Sequence, residues 1–141
     1  MSEILVPVDG SPLAYRAFEY ALEHFPDDDV TTLYVIDPVD AAYPAEFESV
    51  PVGEEWYENA MERAEGIHDE AREIAAKYDA ELSTETEVDR PRHAIIAYAE
   101  DNDVDGIVMG SHGREGIQRL LLGSVAESVM RRSDVPVTVV R

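Results

Sequence analysis

Three glycines and a serine stand at a spacing that can build an anion cradle: Gly110-Ser111-His112-Gly113, nine further residues, then Gly123-Ser124. The apolar run Gly106–Met109 before them reads as a buried strand, and the amphipathic run Val125–Arg132 after them reads as a helix. A strand feeding a glycine loop and then a helix start gathers unpaired amides at the positive end of a helix dipole. Glycine also lets the main chain approach an anion closely. That chemistry is phosphate binding, and the predicted donors are the backbone N–H groups of Gly113, Gly123, Ser124 and Val125. The Ser124 hydroxyl either caps the last helix or donates to a phosphate. Arg114 either pairs with a terminal phosphate or is a solvated loop arginine. His112 touches phosphate or ribose, or is a plain turn residue.

Asp9 is the other chemistry-bearing group. A carboxylate at a strand end can accept from a ribose hydroxyl, or hold Mg²⁺ beside phosphates, since magnesium favours carboxylate and phosphate oxygens. The alternative role for Asp9 is an Asx-turn before the first helix. Other catalytic signatures are absent: no Gly-x-x-x-x-Gly-Lys-Ser/Thr loop, no Gly-x-Gly-x-x-Gly fingerprint and no Gly-x-Ser-x-Gly elbow. His24, His68 and His93 fall in separate helical segments without metal-ligand spacing, and no general base can be named. There is no cysteine, which excludes thiol catalysis and disulfides.

The elements that must position these groups alternate in type. Ile4–Asp9 is a short, β-branched buried strand. Ser11 and Pro12 then open a helix whose apolar stripe runs through Ala14, Ala17, Phe18, Ala21, Leu22 and Phe25. Aspartates 27–29 form a solvated turn, Val30–Asp37 a second strand, and residues 38–52 an extended surface loop suited to a lid or partner contact. A long helix spans about Gly53–Tyr78. Leu82–Val88 alternates in the manner of a charged edge strand, and Pro91 opens a shorter helix. Val104–Met109, residues 123–132 and Pro136–Val140 complete the chain as strand, helix and strand. The expected class is α/β: an open five-stranded parallel sheet in order 3-2-1-4-5, with helices on both faces and one domain over residues 1–141. In such sheets ligands bind at the carboxyl ends of strands where the order reverses. Asp9 and Gly110 both end strands there.

The 141 residues carry a formal net charge of −20, distributed unevenly. Residues 1–89 hold 24 acidic and 4 basic side chains, whereas residues 90–141 hold 7 of each. The seven arginines of the latter segment are expected to offset the field that repels a polyphosphate. So acidic a surface opposes nucleic acid, so no nucleic-acid binding is expected. With a single lysine, Lys77, the composition suits a cytoplasm of molar salt, where charge is screened within about 3 Å, and a halophilic source is expected. No apolar run reaches membrane-spanning length and Met1-Ser2-Glu3 lacks the basic start of a signal peptide, so a cytoplasmic location is expected.

Over nearly its whole length the chain resembles the universal stress protein family. The resemblance rests on Pro7-Val8-Asp9-Gly10-Ser11, Tyr34-Val35-Ile36-Asp37, Val108-Met109-Gly110-Ser111-His112-Gly113, Gly123-Ser124-Val125 and Pro136-Val137. The complete Gly-x-x-Gly, nine residues, Gly-Ser pattern marks the ATP-binding branch. The resemblance implies a Rossmann-like fold of the adenine-nucleotide α-hydrolase type that binds ATP. Pro7, Val8 and Asp9 would lie near ribose and phosphates, Val35 backbone groups would read the adenine edge, and Met109, Gly110, Gly113, Gly123, Ser124 and Val125 would line ribose and triphosphate. It also implies a homodimer through Pro136–Val140, an exposed edge that invites a symmetric partner. Arg90 stands where the family often has glycine. The expected function is a regulatory ATP-binding module read by an unknown protein partner, the rival being a slow Mg²⁺-dependent ATPase.

Overall fold

The computed structural model describes residues 2–38, 54–112 and 122–141. In chain order these form β1 (Glu3–Pro7), α1 (Pro12–His24), β2 (Asp29–Ile36), α2 (Glu54–Lys77), β3 (Leu82–Val88), α3 (Pro91–Asp101), β4 (Gly106–Gly110), α4 (Ser124–Arg132) and β5 (Val137–Val140). The five strands form one sheet in the order β3-β2-β1-β4-β5, and every neighbouring pair is parallel. This is the α/β arrangement expected from the sequence. The stretch read as a surface loop lies outside the described residues from residue 39 onward, as do Gly113 and Arg114.

The central strands are apolar at consecutive positions because both sheet faces are covered. Ile4, Val6 and Val8 face one core with Phe18, Ala21 and Leu22 of α1 and Ala64, Ile67 and Ala71 of α2. Leu5 and Leu33 face a second core with Ile95 of α3, Ile107 and Met109 of β4, and Val129 of α4. Local chemistry starts α1 where expected: the Ser11 hydroxyl accepts from the Ala14 amide at 3.2 Å, and Pro12 takes the first turn. The Asp28 carboxylate in the turn after α1 accepts from the Ser2 amide at 3.1 Å, joining that turn to the base of β1. β3 is an edge strand with the expected alternation, except that Val88 at its open end is exposed. No helix among the described residues is long and apolar enough to cross a membrane.

His68, unassigned by sequence spacing, is a core residue. It projects from α2 beneath the sheet, only 1% exposed, with Nδ1 3.4 Å from Thr32 Oγ1 and Nε2 3.0 Å from Thr86 Oγ1. A neutral imidazole satisfies one hydroxyl as donor and the other as acceptor. Burial, with the Arg72 guanidinium nearby, lowers its pKa from the ordinary histidine value. The unfolded chain therefore takes up the proton first as pH falls. The contribution of His68 to stability is whole above the unfolded pKa and declines below it toward the lower folded value. In denaturant titrations, the stability advantage of wild type over His68→Gln should shrink between pH 7.5 and pH 5.5. A pH-independent difference would contradict the buried neutral histidine.

Candidate functional site

β1 ends earlier than its neighbours, and this opens the site. Pro7 pairs with Leu33, whereas β2 continues to Ile36. The Leu33 carbonyl accepts from the Val8 amide at 2.9 Å, on the β1 side, and the Ile36 carbonyl accepts from Asp89 at 3.0 Å, on the β3 side. Main-chain groups alternate sides along a strand. Val35 therefore turns its N–H and C=O toward the β1 side, past the end of the strand. On the other flank, Gly110 ends β4 beside the same gap. A cavity of 490 Å³ lies over this point, within the range of small-molecule sites.

Pro7, Val8, Asp9, Val35, Met109, Gly110, His112, Gly123, Ser124 and Val125 all line this cavity. The convergence follows from the topology: the loops after β1 and β4 leave the same sheet end at the reversal of strand order. Leu33, Pro91, Ile95 and Ala126 give the cavity an apolar wall on the α3/α4 face. Arg90 is exposed and does not line it, although Pro91 does. The Arg90 amide instead donates to Asp89 Oδ1 at 2.7 Å, in the turn into α3.

Asp9 serves in the turn as well as the cavity. Its Oδ1 accepts from the Ser11 amide at 2.9 Å, forming the Asx-turn before α1. Gly10 follows with φ +85°, the left-handed region that favours glycine. Asp37, at the end of β2, brings a second carboxylate to the cavity. Among the described residues no group of three or more His, Asp or Glu could hold a metal by itself. The pair fits Mg²⁺ only in the manner of sites where one or two carboxylates share the ion with substrate phosphates.

The start of α4 corrects two expectations. Gly123, not Ser124, is the N-cap, and no side-chain hydrogen bond caps the helix, so the Ser124 hydroxyl is not the cap. The Gly123 amide donates to the Ser111 carbonyl at 2.6 Å, and so is committed within the loop rather than offered to an anion. The first bond of the helix runs from the Glu127 amide to the Gly123 carbonyl at 2.9 Å. The amides of Ser124, Val125 and Ala126 precede it and have no intrahelical acceptor. All three residues line the cavity. Gly123 is also needed for space: a Cβ there would sit 3.0 Å from Ser111 O and 3.1 Å from His112 Cα. At Gly110 it would sit 3.0 Å from Leu13 Cγ.

Of the arginines in residues 90–141, none among the described residues lines the cavity. Arg90, Arg92, Arg131, Arg132 and Arg141 are all absent from the cavity wall, and Arg114 and Arg119 lie outside the described residues. The cation present is Arg63 of α2, which sequence reading missed along with Asp37, Pro91 and Ile95. The signal for Arg63 was its position one turn before Ile67 on the inward stripe of α2.

The model of the universal stress protein family matches residues 1–141. Universal stress protein MJ0531 of Methanocaldococcus jannaschii is 31% identical over 145 aligned residues, covering 99% of this chain and 81% of that protein. The structure of universal stress protein UspA from Lactobacillus plantarum is 28% identical with a TM-score of 0.79, covering 99% of this chain and 97% of that one. A universal stress protein in complex with cAMP shares the fold at a TM-score of 0.72 and 24% identity, covering 99% and 97% of the two chains. With its parallel sheet, its strand-end cavity and a family match along its full length, the chain belongs to the universal stress protein family.

Proposed function

We propose that the cavity binds an adenine nucleotide, ATP with Mg²⁺, and that occupancy is read by a protein partner in the cytoplasm. The observation that carries this reading is the meeting of Val35, Asp9, Gly110 and the α4 start around one 490 Å³ cavity. Val35 backbone groups supply a donor and an acceptor suited to an adenine edge, with Leu33, Ile95 and Met109 beside them for an apolar base. Asp9 accepts from ribose, and the amides of Ser124 and Val125 take phosphate oxygens at the helix start, with His112 and Gly110 beside them. Gly113 and Arg114, which lie outside the described residues, are assigned to phosphate in this reading on their place in the glycine pattern. The cAMP carried by a protein of this fold is consistent with such a ligand.

Residues 1–141 act as one domain in this reading, and nucleotide occupancy biases residues 38–52 and the dimer surface. Among the described residues β5 pairs only with β4, and its four residues are all half-buried. Pairing of two such edges, Pro136–Val140, gives a symmetric dimer. Light scattering should return twice the mass of the 15.7 kDa chain, and a monomeric mass would remove the dimer.

The second reading, a slow ATPase, is favoured by one observation: Asp9 and Asp37 both line the cavity, and one or two carboxylates can share Mg²⁺ with substrate phosphates. That ion would polarise a phosphoryl oxygen or lower the pKa of a bound water. Single-turnover hydrolysis by wild type and Asp9→Ala separates the readings. The binding module predicts background turnover in both; turnover above background that vanishes in the variant would establish the enzyme.

Ser124→Asp tests the cradle itself. A carboxylate in the first turn favours the helix by about 0.3–1 kcal/mol but occupies the place of phosphate and repels it. Calorimetry should show ATP affinity falling at least about tenfold with Tm unchanged or raised, since phosphate and carboxylate compete for the same amides. Undiminished affinity would place the phosphates elsewhere.

A further inference from the structure

Arg63 brings a positive charge to a cavity wall that also holds Asp9 and Asp37. On α2, Ala64 and Ile67 are buried against the α1 side of the sheet, and Ile67 Cδ1 lies 3.4 Å from where a Cβ on Gly10 would be. Residues four apart on a helix share a face. Arg63, four residues before Ile67 and toward the helix start, therefore stands above the Asp9–Gly10 turn, and it lines the cavity with Asp9 and Asp37. Among the described residues it is the only cation on the cavity wall. It is in no ion pair with another described residue, whereas Arg72 pairs with Glu65 and Asp69, and Arg131 pairs with Glu127. It is also exposed, so its head group can reorient toward a ligand entering from solvent.

Two carboxylates on the wall, within a chain of net charge −20, oppose entry of a polyanion. The helix-start amides do not remove that opposition, because they act over one turn only. We propose that Arg63 is a specificity-determining residue that makes this site favour nucleotides in proportion to their phosphate charge. Its guanidinium offsets Asp9 and Asp37 at the β1/β2 end and attracts the phosphate chain that the α4 amides hold. This inference rests on the nucleotide reading above and adds to it the selection of nucleoside polyphosphates over nucleosides. An attraction acting across about 8 Å of water changes an equilibrium roughly twofold for each unit of ligand charge. The effect of removing Arg63 should therefore grow from adenosine to AMP to ATP.

The test is calorimetric titration of adenosine, AMP and ATP, without Mg²⁺, into wild type, Arg63→Gln and Arg63→Lys, with circular dichroism confirming equal folding. Arg63→Gln should change adenosine affinity less than about twofold, weaken AMP several-fold and weaken ATP about tenfold. Arg63→Lys should keep most of the ATP affinity, because the charge remains. A loss of equal size for all three ligands, or no loss for ATP, would overturn the inference and leave the nucleotide site standing. If wild type itself binds neither adenosine nor ATP, the nucleotide reading fails first and the role of Arg63 falls with it.

Discussion

Main-chain polar groups demand partners, and a parallel ladder that stops on one strand while its neighbours continue leaves some of them facing a gap. Here β1 stops at Pro7 while β2 runs on to Ile36, with Gly110 closing β4 on the far side. The cavity forms over that shortfall. In the proposed reading its recognition chemistry is largely main-chain chemistry: the N–H and C=O of Val35 on one flank and the first amides of α4 on the other. Apolar side chains such as Leu33, Ile95 and Met109 line the space between them. On that proposal a valine binds through its backbone, with no polar side chain needed.

Glycine has two separate duties in this design. At Gly110 and Gly123 the nearest obstacles to a Cβ belong to the protein itself: Leu13 for the first, Ser111 and His112 for the second. The short Gly123–Ser111 hydrogen bond draws the two ends of the loop together and fixes where α4 begins. These two glycines thus set the cradle's geometry through packing, and in the proposed reading the anion contacts fall to the amides just after them. A spacing that reads as a phosphate motif is, at these positions, first a condition for closing the loop.

The sheet order and the reversal point were legible because four strands are short apolar runs, the fifth alternates as an edge, and all are bounded by turn chemistry. Ser11 with Pro12, the aspartates after α1 and Pro91 each mark a junction at the sequence level. Asp9 was legible because the turn that follows it is local. Arg63 was harder to find, since its place one turn before Ile67 puts it near α2's inward stripe but only the crossing of α2 over the sheet brings it to the cavity. His68 was equally hidden: Thr32 and Thr86, which satisfy it, come from two different strands. The cap of α4 stayed open in the sequence because Gly123 and Ser124 are both acceptable there; the structure makes Gly123 the cap and ties its amide to Ser111.

A chain this acidic holds a polyanion only if fixed dipoles and a few cations outweigh the surrounding field. The most direct measurement is two-dimensional amide NMR of the protein titrated with ATP. If the nucleotide is held by main-chain groups around the β1 shortfall, the largest shifts will fall on Val35, Gly110, Ser124 and Val125, with the β3 edge and the end of α1 unmoved. Saturable binding whose shifts cluster elsewhere, leaving those four amides in place, would contradict a backbone-built nucleotide site.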